Sequence, residues 1–247
     1  MDFSILLTLD GLFYLVILSL LEIVLGIDNI IFISIVTDRL PKENQRKARN
    51  VGLSLALIVR LILLTFVAWI MQMTSTLFTI FDTPISGQSL VLLIGGLFLI
   101  YKSTTEMHDS ITGRDESQQK GKITLRGVIT QIVLIDIVFS FDSIISAIGM
   151  TNGMGDGQHD PMIIIYIAVI LAMGIMLAFA KQISDFINNR PTIKMISLGF
   201  LVTIGVILVA EAFGQHIPKG YIYFAMVYSL AVEFLNIRMR KNKSEIE

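Results

Sequence analysis

Polar segments divide the sequence into seven long apolar stretches, and this division constrains the fold more than any other feature. Most stretches approach the 20 or so residues with which a helix crosses about 30 Å of hydrocarbon. Backbone groups in lipid must be hydrogen-bonded within the protein, so apolar runs of this length form helices. The stretches are residues 12–36, 51–73, 86–101, 127–150, 161–180, 197–213 and 221–237.

Composition agrees with a membrane protein and excludes several other classes. Apolar residues make up 54% of the chain and charged residues 16%, against about 25% charged residues in a soluble domain. The formal net charge of −1 gives no sign of a nucleic-acid partner. Without cysteine the chain has no disulfide, no thiolate metal ligand and no thiol nucleophile. We therefore expect an all-α, polytopic membrane protein with seven transmembrane helices.

Basic residues mark one side of the membrane. Alternate connections carry 17 of the 19 lysines and arginines, whereas Lys219 lies on the opposite side and Arg60 lies inside the second stretch. The positive-inside rule assigns the basic side to the cytoplasm, so we expect the N-terminus outside and the C-terminus inside. The first stretch lacks the basic start of a signal peptide. The polar segment 102–126 is predicted to be a mobile cytoplasmic loop.

One motif occurs twice, in stretches that run in opposite directions. Residues 21–31 and 135–145 align without a gap, 114 positions apart. Inverted repeats of this kind are typical of secondary transporters, whose substrate site lies at the repeat interface. We expect a single domain, 1–247, with repeat one over 12–101, repeat two over 127–213 and an extra helix over 221–237. The matched polar and small residues are Glu22 with Asp136, Gly26 with Ser140, Asp28 with Asp142 and Asn29 with Ser143.

The helical rise brings the motif acids to two depths near the centre of the membrane. At about 1.5 Å per residue, Glu22 comes level with Asp142, and Asp28 comes level with Asp136. The two acids of one copy would stand about 120° apart around a straight helix. Unwinding at the small residue between them would bring them together and would free carbonyl oxygens as ligands.

Six acids and one base lie within the stretches, which gives a formal core charge of −5 if all of them ionise. Each charge costs about 2.5–3.5 kcal/mol on insertion scales, so the cluster has to be neutralised. A divalent cation compensates two charges at once, and oxygen ligands suit Mn²⁺, Ca²⁺ or Mg²⁺. We predict that the metal ligands are Glu22, Asp28, Asn29, Asp136, Asp142 and Ser143.

The other polar and small residues of the stretches have a supporting role in this hypothesis. Arg60 is predicted to be a counter-ion, and Glu211 and Glu233 belong either to the ion pathway or to structural pairs. Gly26 and Ser140 are expected along the same pathway. Coupled acids release protons when a metal binds, which favours exchange of metal for protons. In an alternative interpretation, the motif acids are protonated and form hydrogen bonds between helices.

The two motif copies resemble the signature motifs of the TerC family of bacterial integral membrane proteins. The resemblance covers nearly the whole chain, including Arg60 and the segment 211–214. It implies a location in the plasma membrane and a relationship to the LysE-type transporter superfamily. It also implies export of manganese, which in some members delivers the metal to secreted proteins. The family is named after tellurite resistance, but a core charge of −5 repels an oxyanion. We expect no appended soluble domain of the kind that more extended members of the family carry.

These observations leave more than one function open. We favour a divalent-cation exporter with Mn²⁺ as its main cargo, proton antiport as its coupling, no permanently bound cofactor and no enzymatic activity. The alternative is a membrane partner of the protein insertion and secretion machinery, to which chloroplast members of the family are linked. An intramembrane aspartyl protease is disfavoured, because neither Asp28 nor Asp142 stands in a Gly-x-Gly-Asp pattern. The choice among Mn²⁺, Ca²⁺ and Mg²⁺ stays open, as does assembly into a homo-oligomer.

Overall fold

Seven α-helices make up nearly all of the regular structure in the computed structural model, which describes residues 8–66, 74–80, 83–112, 124–151, 162–215, 217–218 and 220–244. All seven are long and apolar enough to cross a membrane, which confirms the predicted fold class. The helices are α1 (Leu9–Asp38), α2 (Lys42–Thr65), α3 (Gly87–Thr112), α4 (Leu125–Thr151), α5 (Met162–Asn188), α6 (Pro191–Ala212) and α7 (Gly220–Ser244).

Local sequence signals set several of the helix ends. The Thr8 hydroxyl accepts a hydrogen bond from the Gly11 amide at 3.0 Å and so caps the start of α1. Pro191 occupies the first turn of α6, where its missing amide hydrogen is not needed. Gly214 follows α6 with a φ of 77°, a left-handed conformation that glycine adopts without strain.

The polar loop predicted over 102–126 is shorter in the structure. Helix α3 continues to Thr112, and α4 begins at Leu125. An ion pair of 3.7 Å between Lys102 and Glu106, one helical turn apart, supports the extension of α3 beyond its apolar part. Residues 113–123 of the predicted loop lie outside the described residues.

A short β-hairpin, which no sequence signal predicts, stands between α2 and α3. Strand β1 (Thr76–Ile80) pairs antiparallel with strand β2 (Thr83–Ser86). The strands are too short to give a convincing alternation of apolar and polar residues, which explains why the pattern was missed. The second apolar stretch was predicted to reach residue 73, but α2 ends at Thr65 and residues 67–73 lie outside the described part of the chain.

The largest helix contacts run between the two halves of the chain. Helix α1 packs on α5, α2 packs on α4, and α3 packs on α6. If α1 is exchanged with α4, α2 with α5 and α3 with α6, the same three helix pairs result. The same exchange turns the smaller α3–α4 contact into an α1–α6 contact, which is also present. Helix α7 packs on α6, outside this pattern. An inverted repeat would give such an arrangement, and the repeat itself stays a prediction.

The crossing of α3 and α6 shows the same correspondence in detail. A Cβ atom at Gly96 would lie 2.7 Å from the Gly205 carbonyl oxygen, and one at Gly205 would lie 2.9 Å from the Gly96 carbonyl oxygen. Backbone atoms have little room to move in a packed interior, so the crossing requires glycine on both helices. Buried residues on either side of Gly96 also have buried counterparts 109 positions later, namely Leu92 with Leu201, Leu99 with Leu208 and Ser103 with Ala212.

Candidate functional site

A buried guanidinium joins the two motif copies inside the helix bundle. Arg60 lies on α2 with 2% of its surface exposed. Its Nε donates to Ser140 Oγ at 3.0 Å, its Nη1 to Glu22 Oε2 at 2.8 Å and its Nη2 to Asp136 Oδ1 at 2.9 Å. One acid comes from α1 and the other from α4, so charge-assisted hydrogen bonds to Arg60 connect the two halves of the chain.

Asp136 receives further hydrogen bonds from both motif copies. Asn29 Nδ2 donates to its Oδ1 at 3.2 Å, and Ser140 Oγ donates to its Oδ2 at 3.3 Å. Both oxygens of this carboxylate are therefore engaged by the protein. We call the five residues Arg60, Glu22, Asn29, Asp136 and Ser140 the Arg60 cluster.

Two acceptor oxygens of the Arg60 cluster lack a hydrogen bond of good geometry from the described residues. Glu22 Oε1 and Asn29 Oδ1 are buried and accept no hydrogen bond from the described residues. Because a buried acceptor without a donor is costly, such atoms indicate a place for water or for a cation.

The small residue of each motif faces a neighbouring helix, and neither residue interrupts its own helix. Helices α1 and α4 are continuous through Gly26 and Ser140, so the unwinding that would have brought the two acids of one copy together is not observed. A Cβ atom at Gly26 would collide with Met176 Sδ on α5, whereas Ser140, its counterpart on α4, contacts Arg60 on α2. Gly26 thus faces the flexible end of a methionine, and Ser140 faces the guanidinium of Arg60.

A cavity of about 30 Å³ lies beside the Arg60 cluster. Asp28 from α1, Ser143 from α4 and Arg60 contribute its polar lining, which brings together residues of both motif copies. Its other walls are mostly apolar residues of α6 and α7, with Tyr223 of α7 among them. The volume suits a single water molecule or a small cation. No sequence signal places α7 at this site, because the residues with which it lines the cavity are apolar or aromatic.

The structure joins the motif acids differently from the depth estimate. The estimate set Glu22 level with Asp142 and Asp28 level with Asp136, whereas Arg60 connects Glu22 to Asp136. The two ends of the guanidinium fork reach acids on different helices. The side chain of Asp142 lies outside the described residues.

The remaining predicted residues are not gathered into one metal site. Among the side chains that the structure describes, no three His, Asp or Glu residues are close enough to hold a metal ion together. Glu233 is buried on α7 and accepts a hydrogen bond from Asn236 at 3.4 Å, and Glu211 lies near the end of α6. Neither lines the cavity beside Arg60.

A second group of charges lies where α1 ends. Arg39 pairs with Glu106 and, at 3.0 Å, with Asp109, and Lys102 pairs with Glu106. We call these four residues the Arg39 cluster. The neighbouring Asp38 forms an ion pair of 3.0 Å with Lys194 at the start of α6. These contacts hold the end of α1 to both α3 and α6.

The chain was compared with known protein families and with known proteins. Residues 7–245 match the model of the integral membrane protein TerC family. A "UPF0053 protein" of Haemophilus influenzae is 50% identical over 229 residues, which are 92% of this chain and 93% of that protein. The "UPF0053 inner membrane protein YgdQ" of Escherichia coli K12 is 48% identical over 226 residues, 91% of this chain and 92% of the relative.

A longer relative contains the same region. The "UPF0053 inner membrane protein YoaE" of Escherichia coli K12 is 46% identical over 227 residues, which are 91% of this chain but 42% of that protein. No solved structure gave a significant match. The family model covers nearly the whole chain, and two relatives match more than nine tenths of it at about half identity. The chain therefore belongs to the TerC family of integral membrane proteins.

Proposed function

We propose that the protein is a secondary transporter that exports divalent cations from the cytoplasm, with Mn²⁺ as its main cargo and protons as the exchanged ion. The observation that carries the proposal is the meeting of buried motif acids from both halves of the chain around Arg60, next to a small cavity. Alternating access would move the two halves relative to one another around this site. The N-terminus would lie outside and the C-terminus in the cytoplasm, as the basic connections predict.

The charges of the site favour a cation as cargo. Arg60 compensates only one of the two acids that it binds, and Asp28 adds a further carboxylate at the cavity. Two acids share the single positive charge of Arg60, and excess negative charge inside a membrane is expensive, so an added positive charge stabilises the site. An anionic substrate such as an oxyanion would increase the repulsion.

The donor atoms favour a hard divalent ion. Asp28 and Ser143 offer oxygen ligands at the cavity. The unsatisfied Glu22 Oε1 and Asn29 Oδ1 belong to the adjoining Arg60 cluster and do not line the cavity, so they would have to turn towards the ion. Such ligands suit Mn²⁺, Mg²⁺ and Ca²⁺, and manganese is the cargo that the family resemblance implies. Cargo released outside would be available to exported metalloproteins. The same acids serve transport in this proposal and catalyse no reaction.

Uptake of Mn²⁺ into inside-out membrane vesicles tests the proposal. Wild-type vesicles with an acidified interior should accumulate Mn²⁺, and uptake should fall to background without the proton gradient. Asp28→Asn and Asp142→Asn should abolish uptake, because each removes one negative charge from the motif. Glu43→Gln, which changes an exposed acid of α2, is the matched control and should transport normally.

The alternative function would give a different result. If wild-type protein is present in the vesicles and accumulates no divalent ion under any gradient, the transport proposal is wrong. Co-purification with the secretion machinery would then support the role of a membrane partner in protein insertion. Uptake by Asp28→Asn and Asp142→Asn at the wild-type rate would remove the motif acids from the transport mechanism.

A further inference from the structure

We propose that Arg60 is a built-in cation that competes with the cargo for Glu22, while Asp136 serves mainly to hold Arg60. This inference rests on the proposed transport of a divalent cation and assigns different tasks to two acids that the motif makes equivalent. In the empty site Arg60 would neutralise Glu22. When the cargo arrives, Glu22 would turn from the guanidinium towards the incoming ion.

The hydrogen bonds of the two acids differ in the way that this division requires. Asp136 accepts from Arg60 and Asn29 on one oxygen and from Ser140 on the other. Glu22 accepts from Arg60 on Oε2, whereas its buried Oε1 accepts no hydrogen bond of good geometry from the described residues, and the Ser143 hydroxyl lies close to this carboxylate. Asp136 is therefore fixed on both sides, and Glu22 has an oxygen left for a ligand.

The position of Arg60 is matched in the other half of the chain by a residue without charge. Buried residues of α2 correspond to buried residues of α5 at a constant spacing of 116 positions, and at this spacing Met176 corresponds to Arg60. The thioether of Met176 packs against Gly26 and donates no hydrogen bond. The other buried pairs are Ala48 with Ile164, Arg49 with Ile165, Gly52 with Ala168, Leu53 with Val169, Ala56 with Ala172 and Leu64 with Ala180.

This difference gives the site a fixed positive charge from one half only. Cargo bound to Glu22 would stand close to the guanidinium and would be repelled by it in a poorly screened interior. The repulsion would weaken binding and so speed release of the ion. Replacing Arg60 by a neutral residue of similar polarity should therefore tighten binding of the cargo, which a residue with only a structural role would not do.

Equilibrium binding of ⁵⁴Mn²⁺ to the purified full-length protein in lipid nanodiscs tests this inference. Arg60→Gln should bind Mn²⁺ about ten-fold more tightly than wild type, or more tightly still, because a like charge is removed near the ion. Arg49→Gln is the matched control, since Arg49 is a buried arginine of the same helix that does not line the cavity. Its affinity for Mn²⁺ should equal that of wild type.

A second variant keeps the inference testable if Arg60→Gln fails to fold. Arg60→Gln/Asp136→Asn removes one positive and one negative charge and leaves an amide pair that can hydrogen-bond. It also frees Glu22, so it should bind Mn²⁺ more tightly than wild type. Circular dichroism and thermal melting in the same nanodiscs identify which variants are folded.

The outcomes separate the inference from the proposed function. If wild-type protein binds no Mn²⁺ and transports none, both are wrong. If wild type binds Mn²⁺ but a folded Arg60→Gln binds it equally or more weakly, the competition between Arg60 and the cargo is wrong and the transport proposal stands. Where only the double variant folds, unchanged or weaker binding by that variant overturns the inference in the same way.

Discussion

The Arg60 cluster and the Arg39 cluster use the same ion pairs in different surroundings. Arg60 and Glu22 have side chains that are 2% exposed, whereas Arg39 and Asp109 have side chains that are 18% and 17% exposed. Water and salt can reach Arg39 and Asp109, and the buried Glu106 would keep Lys102 as a partner if Arg39 were lost, whereas water has little access to the Arg60 cluster. The depth at which an ion pair is buried, more than its length, therefore decides how much free energy of unfolding is lost when one partner is removed.

The strongest test of this comparison is Arg60→Leu. The substitution leaves Glu22 and Asp136 buried without their common cation, and we expect the free energy of unfolding to fall by about 3–5 kcal/mol. Denaturation of the purified protein in detergent measures the loss. Arg60→Leu/Asp136→Asn should recover part of the stability because it removes one of the two stranded charges. A single variant as stable as wild type would show that the cluster is hydrated.

Gly26→Ala tests the packing that keeps water away from the Arg60 cluster. The added methyl group would collide with Sδ and Cε of Met176, so the flexible end of this side chain would have to shift, at a cost of about 1–2 kcal/mol in unfolding free energy. Gly174→Ala on α5 is the control, because nothing lies within 4 Å of its added Cβ atom. In a Met176→Ala background Gly26→Ala should cost nothing further, and an undiminished cost would contradict the assigned contact.

Arg39→Gln should have a smaller effect, although it also removes a cation that binds two acids. Lys102 remains beside Glu106, and Asp109 can hydrate, so we expect a loss of about 1 kcal/mol. The difference between variant and wild type should shrink further at about 1 M salt, where screening is strong. A salt-independent loss as large as that of Arg60→Leu would remove the distinction between the two clusters.

Lys194→Gln should have the smallest effect of the series. It breaks a single ion pair with Asp38, whose side chain is 27% exposed, so unfolding free energy should change by about 0.5 kcal/mol or less. The same denaturation assay measures it. A larger loss would mean that this contact between α1 and α6 closes a surface from which water is excluded.

The architecture follows from the sequence because hydrocarbon permits few alternatives. Seven apolar stretches of nearly spanning length predict seven helices, and the structure has them. The β-hairpin could not be predicted, since its strands of 5 and 4 residues carry too little periodicity. The extension of α3 to Thr112 was missed because hydropathy marks the membrane boundary and not the end of a helix.

The candidate site was partly visible in the sequence. Charge inside an apolar stretch marks Arg60 and the motif acids, and the predicted role of counter-ion agrees with the ion pairs that Arg60 forms. Which acids Arg60 contacts depends on helix rotation and side-chain reach, and an estimate from helical rise alone contains neither. The contribution of α7 to the cavity was missed for another reason: apolar wall residues look the same in a sequence as residues that face lipid.

The burial of α1 has a consequence for the synthesis of the protein. Every residue from Asp28 to Thr37 is buried, and the main contact of α1 is with α5. At about 5–20 residues per second, α5 leaves the ribosome on the order of ten seconds after α1. During that interval the polar side chains of α1 lack the neighbours that bury them in the finished protein, so the bundle is completed late. A chain truncated before α5 should therefore be degraded.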